Sequence, residues 1–275
     1  GTRPVLSPLL VAPKVFLQGA YNASTGLMTD KLRSSGLIPT TEPYTGMTSF
    51  THSGSGGGET IPSSVLTGTG TGADIVDWVF LELRDGGTSA VLATRAALLQ
   101  RDGQIVDVDG TNTKTPYVNF AGQLPGNYYI SVRHRNHLGI RSASVAALDK
   151  TTATAYDFTM AQTQAYQNSS ITTNSAMANN GAVYMMWAGN ANQDKYVRVT
   201  SQAFPSVPSD GSYILGALLG GNSNNSLSTY STGDVNMDGK TRATSQAFPS
   251  IPSDISFILS TVLQGNSGAS RKEHN

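Results

Sequence analysis

Asp234, Asn236, Asp238 and Gly239 stand in the order D-x-N-x-D-G inside the stretch GDVNMDGK. Side-chain oxygens at every second residue, followed by a glycine that permits a sharp turn, place hard donors around one point. That is the chemistry a calcium ion with its roughly six to eight oxygen ligands requires. A loop of this kind is ordinarily closed by a bidentate Glu at its twelfth position, and counting from Asp234 that position is Ser245. The closing carboxylate must therefore come from further along the chain.

A repeat with a period of 44 residues supplies it. The segment beginning at Asn190 aligns without gaps onto the segment beginning at Asp234, with about 20 of 34 positions identical, which identifies a duplicated unit. In each unit the next acidic residue after the loop lies twenty positions from its start, Asp210 in the first and Asp254 in the second. Each follows FPS[V/I]PS and heads an apolar run of helical period: Ile214, Leu215, Leu218 and Leu219, then Ile258, Leu259, Val262 and Leu263. Ser209 and Ser253 are the expected helix caps, and Gly221 and Gly265 the expected stops. The predicted unit is a loop and helix in which TSQAFPS bulges out and the late Asp returns to close the site. The second site thus comprises Asp234, Asn236, Asp238, a backbone carbonyl at Lys240, and Asp254. The first comprises Asn190, Asn192, Asp194, the equivalent carbonyl at Tyr196, and Asp210. Two negative charges against three, and Lys195 where Gly239 stands, predict weaker calcium binding at the first site.

The elements upstream read as strands. KVFLQGAY, DWVFLELRDGG, SAVLATRAALLQRDGQIVDVDG, TPYVNF, GNYYISVRHRNHLGI and ATAYDFTM are rich in β-branched and aromatic residues, with corners at Asp85-Gly86, Asp102-Gly103 and Asp109-Gly110. The fold class expected is mainly β: an antiparallel β-sandwich over residues 14–160, a linker or extended strap over 161–181, the duplicated calcium-binding module over 182–267, and a tail over 268–275. Alternation of Val79, Leu81 and Leu83 with Phe80, Glu82 and Arg84 suggests one face packed inward and the other facing solvent or a partner. One short helix is expected in MTDKLRSSG, capped by Thr29 or Asp30 and stopped by Gly36. The head, residues 1–13, is an apolar strap interrupted by proline that can cover its own sheet edge or be donated to the edge of a neighbouring copy, and the second is expected.

Lys plus Arg equals Asp plus Glu at 18 each, so no global field favours nucleic acid or an anionic membrane. The absence of Cys removes disulfides, thiol catalysis and Cys-based metal sites. No run of about 18 apolar residues exists to cross a membrane. Low charge, at 13 %, with abundant Gly, Ser, Thr and Asn, leans toward secreted β-rich proteins, and the Gly1 start fits a processed one.

The double calcium loop and helix, with GDVNMDGK following a WAGN opening, resembles a dockerin-type domain. In particular it resembles the divergent dockerin-like tail of large secreted surface proteins from gliding-type Gram-negative bacteria. FLQGAYN, GLMTDKLRSSGLIPTTEPY, IVDWVFLELRD, ATRAALLQRDGQIVDVDG and NYYISVRHRNHLG resemble the module that precedes that tail. The likeness covers residues 14–140 and 182–267, and it departs at TSQAFPSIPSD, where the family carries a stretch richer in Asn and Asp. What the resemblance implies is secretion, calcium dependence and a place in an extracellular fibre, adhesin or surface assembly. A dockerin ordinarily binds a cohesin, so a cohesin-like scaffold, as in polysaccharide degradation, is the alternative partner to a homopolymer.

Other groups carry simpler readings. His134 and His137, three apart on a strand, would face opposite ways and share no metal; His52 is a third isolated imidazole. Arg133, His134 and Arg135 are expected to pair with acids such as Asp77, Glu82 or Asp107. A hydrolytic carboxylate pair of Asp107 and Asp109 is less economical than turn chemistry beside Gly110. Trp78, Trp187, Tyr128 and Tyr129 are expected in the core in preference to a sugar platform. HSGSGGGET lacks the Lys-Ser or Lys-Thr and the βαβ context of a phosphate cradle. The expected protein is a non-enzymatic calcium-binding structural subunit.

Overall fold

The computed structural model describes residues 7–108, 113–201, 206–247 and 250–275. The fold is mainly β, with two principal sheets and several two-residue pairings. In the larger, strands run in the order Ile140–Arg141, Gly126–Arg133, Ile75–Asp85, Val91–Gln100, Ile105–Val108 and Lys114–Thr115, with Ala146–Leu148 also against Gly126–Arg133; every pairing is antiparallel. The corners fall where turn chemistry places them. Asp85 Oδ1 accepts from the Thr88 backbone N–H at 2.7 Å and from Thr88 Oγ1 at 2.9 Å, and Gly103 takes φ +89° between two strands. The corner at Asp109-Gly110 lies outside the described residues, as do Asp109 itself and residues 1–6 of the head.

The smaller sheet has three strands, with Leu9–Lys14 in the middle, parallel to Thr154–Asp157 and antiparallel to Val118–Phe120. This part of the head, expected as a donated strand, is paired inside its own chain, and its alternating burial seats Leu9, Val11 and Pro13 inward. Similarly, Arg271–Lys272 of the tail pairs with Tyr196–Val197, and Glu273 accepts from the Gly139 N–H at 2.8 Å. No neighbouring copy is needed to hold either segment. Residues 161–181 are built into the fold: Ala165, Ile171, Ala176, Met177 and Ala178 are buried there. Residues on both sides of that segment share one hydrophobic cluster, from Leu9 to Leu263.

The alternation along Ile75–Asp85 does not mark an open face. All residues from Ile75 to Leu83 are buried, because residues 39–53 close over the side carrying Trp78, Phe80 and Glu82. Trp78 Nε1 donates to the Pro39 carbonyl, Tyr44 OH donates to the Trp78 carbonyl, and the rings of Tyr44, Phe50 and His52 pack about Phe80. Trp78, Trp187 and Tyr128 are core residues, and Tyr129 stacks under Arg141. The short helix forms over Lys31–Ser34 with Asp30 at its cap position; the Asp30 side chain pairs with Arg33, and Gly36 takes φ +67° just beyond. Among the described residues, no helix is long and apolar enough to cross a membrane.

The segment RHRNH lies at the junction of sheet and C-terminal loops. Its strand ends at Arg133, so the parity argument that separated the two histidines fails: His134 Nδ1 and His137 Nδ1 are 3.0 Å apart. One neutral tautomer of each ring accommodates the chain: the Gly19 N–H donates to His137 Nε2, the single His137 Nδ1 proton is shared between Asn136 Oδ1 and His134 Nδ1, and His134 Nε2 donates to Asp77 Oδ2 at 3.0 Å. Asp77 also accepts from Arg135 Nε at 3.0 Å and Tyr230 OH at 2.6 Å. Burial raises the Asp77 carboxyl, but Arg135, then His134 and Tyr230, outweigh it and hold it below the ordinary carboxylate value. Burial, then His134 and Arg135, drives His137 well below the ordinary imidazole value. Arg133 pairs with Glu82, and Asp107 pairs with Arg95.

Arg135 and Asp77 are both fully buried, so removing one partner strands the other in a low dielectric. Arg135→Ala should lower the free energy of unfolding by about 3–5 kcal/mol in a urea titration; a loss within ~1 kcal/mol would show that the pair does not carry the junction.

Candidate metal centre

The two loops share three turn bonds and the same two positive-φ positions, Gln193 with Lys195 and Met237 with Gly239. In the second, Asp234 Oδ1 accepts from the Asp238 N–H and Oδ2 from the Gly239 N–H, each at 3.0 Å. Asn236 Oδ1 accepts from the Asp238 N–H at 3.1 Å, and Asp238 Oδ1 from the Lys240 N–H at 2.9 Å. In the first, the matching bonds are Lys195 N–H to Asn190 Oδ1 at 3.2 Å, Asp194 N–H to Asn192 Oδ1 at 3.1 Å, and Tyr196 N–H to Asp194 Oδ1 at 2.9 Å. These nested turns curl the backbone of each loop around the side chains at its first, third and fifth positions. Gly239 has φ +86°, and Lys195 is forced to φ +70° in the same place, a conformation that favours glycine.

The late aspartates return as the repeat requires. Asp254 Oδ1 accepts from the Val235 N–H at 2.8 Å and its Oδ2 from the Arg242 N–H at 2.7 Å. Asp210 does the same to the Asn192 N–H at 3.3 Å and the Arg198 N–H at 2.9 Å. Each late Asp is thus laid across the loop that begins twenty residues earlier. Ser209 and Ser253 cap the helices that follow, their hydroxyls accepting from the Ser212 and Ser256 N–H groups at 3.1 Å. Both helices open over Asp210–Ser212 and Asp254–Phe257 and then widen to bonds five residues apart, Leu219 N–H to the Ile214 carbonyl and Leu263 N–H to the Ile258 carbonyl. Gly221 and Gly265, at φ +78° and +79°, end them.

The two units exchange contacts. Thr200 Oγ1 of the first donates to the Ser267 carbonyl at the end of the second, and Thr244 Oγ1 of the second donates to the Ser223 carbonyl at the end of the first. Likewise Tyr196–Val197 pairs with Arg271–Lys272, and Thr241–Arg242 pairs with Ser226–Leu227. Each loop is therefore braced by the segment that follows the other unit's helix.

Asp210, Asp234 and Asp254 have no exposed surface. Their carboxylates are held by backbone N–H groups, which satisfy lone pairs without neutralising charge. Burial, reinforced by Asp234, raises Asp254 well above its ordinary value. Burial raises Asp234 to about 7, with Arg135 opposing and Asp238 reinforcing. Burial raises Asp210 to about 8, opposed by the Arg198 N–H and reinforced by Asp194. The fifth-position carboxylates Asp238 and Asp194 pair with Arg242 and Arg198, four residues on in each loop. Among the described residues no three Asp, Glu or His side chains converge into a ready cage. The donor types, carboxylate, amide and backbone carbonyl without sulfur or imidazole, suit a hard cation. Asp234, Asn236, Asp238 and Asp254 would hold it in the second loop; Asn190, Asn192, Asp194 and Asp210 would do so in the first. Lys240 and Tyr196 stand at the seventh positions, where a carbonyl ligand is expected.

Reading the sequence loop by loop missed Arg198 and Arg242, although the identity of Arg at this place in both repeats was a signal for them. His52, by contrast, sits beside Thr94 Oγ1 at 3.3 Å and Glu42 at 3.6 Å, away from both loops.

Carboxyl groups whose folded values lie above their unfolded value bind more protons folded than unfolded, so their ionisation destabilises the fold. Without calcium, the melting temperature should rise as pH falls from about 8 toward 7, through the values of Asp210 and Asp234 and above the range where His134 and His137, held neutral by burial, begin to oppose it, and saturating calcium should flatten that rise. Calorimetric melts with chelator and with calcium check this; identical slopes would contradict it. No protein-family model, curated protein or solved structure matches the chain, so the reading of these loops rests on their own chemistry and geometry.

Proposed function

We propose that the chain is a calcium-binding structural subunit of an extracellular fibre, adhesin or surface assembly, without enzymatic activity. In this reading a β-sandwich carries a dockerin-like module of two calcium loops, and copies associate head to tail. One observation carries it: the three buried carboxylates of Asp210, Asp234 and Asp254, each closing or opening a loop of oxygen donors, with values raised by burial. A divalent cation removes that cost, so binding energy becomes folding energy. What supports a secreted location is the composition, poor in charge and rich in Gly, Ser, Thr and Asn.

The assembly part of the reading rests on the resemblance to tails of surface proteins. Heterologous contacts that fail to close generate open filaments. The second reading, a docking module for a cohesin-like scaffold, draws on the exchange of contacts between the two units, which presents two equivalent loop and helix faces on one module.

Sedimentation velocity in millimolar calcium and in excess chelator separates the two. Large species in calcium that fall to monomer in chelator are the expected result. A monomer under both conditions would overturn self-assembly and leave the docking reading.

A further inference from the structure

The first residue of each calcium loop is fixed from outside the loop by the same amino acid. Asn136 is fully buried, and its Nδ2 donates to the Asp234 carbonyl at 2.7 Å. Its own backbone carbonyl accepts from the Gly189 and Asn190 N–H groups at 3.1 and 3.0 Å. Its Oδ1 lies 2.8 Å from His137 Nδ1, which fixes the amide orientation that aims Nδ2 at the second loop. Asn190 and Asp234 are the opening positions of the two loops, 44 residues apart in the repeat.

The residues beside Asn136 act on the same loops. The Arg135 carbonyl accepts from Gln193 Nε2 at 3.0 Å, tying the fourth position of the first loop. Arg135 Nη2 reaches Met237 Sδ at 3.4 Å, at the fourth position of the second. Gly19 admits the second loop closely: a Cβ there would stand 2.0 Å from the Val235 carbonyl oxygen. The upstream β unit thus presents one short segment, Arg135–His137, into which both loops are seated.

The geometry points to Asn136 as a positioning residue for both calcium loops, making the upstream β unit part of the ion sites. This assignment rests on the calcium reading above. Asn136 touches no reacting or ion-bound atom by itself. It fixes the backbone of Asp234 through a side-chain bond and that of Asn190 through a main-chain bond, so the first ligand of each loop is held in place before the ion arrives. Groups that orient metal ligands commonly change affinity by about 10- to 100-fold when removed. Two consequences follow. The side-chain bond is the one a substitution can delete, so Asn136→Ala acts chiefly on the second loop. Occupancy of the loops also reaches the strand Gly126–Arg133 and the buried Asp77 group through the same segment.

The test is a calorimetric calcium titration of the whole chain, paired with amide hydrogen exchange with and without calcium. In the native chain, calcium is expected to slow exchange in residues 126–141 as well as in the loops. Asn136→Ala is expected to weaken the tighter binding step by about tenfold and, at saturating calcium, to keep slowed exchange over residues 234–254 while losing it over 126–141. A merely structural role would lower stability without separating these two regions. Gln193→Asn, which is tolerated at positive φ and falls short of the Arg135 carbonyl, is expected to weaken the looser step by severalfold and leave the tighter one within about twofold. Should Asn136→Ala not fold, exchange in the native chain decides: calcium that slows exchange in the loops and leaves residues 126–141 unchanged overturns the assignment. Asn136→Ala binding within about twofold of native with the native exchange pattern also overturns it. A native chain that takes up no calcium overturns the calcium reading itself, a different failure from native binding that Asn136→Ala leaves intact.

Discussion

The cost of burying uncompensated carboxylates governs this molecule. A carboxylate taken out of water loses its hydration, and backbone N–H groups return only part of it. Asp77 is buried with an arginine, an imidazole and a phenol around it, and its carboxyl stays below the ordinary value. Asp210, Asp234 and Asp254 are buried as completely with backbone donors around them, and theirs rise. The contrast separates a settled structural ion pair from three carboxylates held by backbone N–H groups, and the proposed calcium sites rest on it. Everything else in the C-terminal module serves to hold those three groups where they are: nested turns curl the loops, capped helices aim the late aspartates back, and exchanged strands brace one unit with the other.

The architecture above the loops follows from the same requirement. The loops are seated by apolar side chains as well as by hydrogen bonds, since Ala191 of the first and Val235 and Met237 of the second are buried in the shared cluster. The first unit leans on the tail through Tyr196–Val197 and Arg271–Lys272, and both units lean on Arg135–His137. That segment is in turn fixed by Asp77 on the central strand, which is buried on both faces. Sheet, junction and loops form one continuous chain of support, and the shared hydrophobic cluster runs the length of it.

What the sequence revealed, and what it hid, follows the range of the interactions. The late aspartates, the serine caps and the terminal glycines were legible, because a repeat shows the same local signals twice at fixed spacing. The helix at Lys31–Ser34, the corners at Asp85 and Gly103, and Asp77 and Glu82 as partners of Arg133, His134 and Arg135 were legible on other grounds, short-range turn chemistry and charge pairing, whereas Asp107 pairs with Arg95 instead. The second covering of Ile75–Leu83 was hidden, since residues 39–53 carry no periodicity to announce that they fold over Phe80. The meeting of His134 and His137 was hidden too, because a face argument holds only while the strand continues, and this one stops at Arg133. Asn136 looks like any turn residue, and its role exists only once two segments about 55 and 100 residues away are brought to it. The pairing of Leu9–Lys14 within the chain is likewise a matter of topology, which edge-strand composition does not specify.

Counting the bound ions tests the central claim most directly. Native mass spectrometry of the chain, exchanged into dilute calcium and then into volatile buffer, should show a mass shift of two calcium ions that chelator removes. Removal of the Asp254 carboxylate should reduce it to one. A chain that retains no calcium, or one that carries an unsaturating ladder of adducts unchanged by loss of Asp254, would contradict the account and return the two loops to the status of tightly hydrogen-bonded turns.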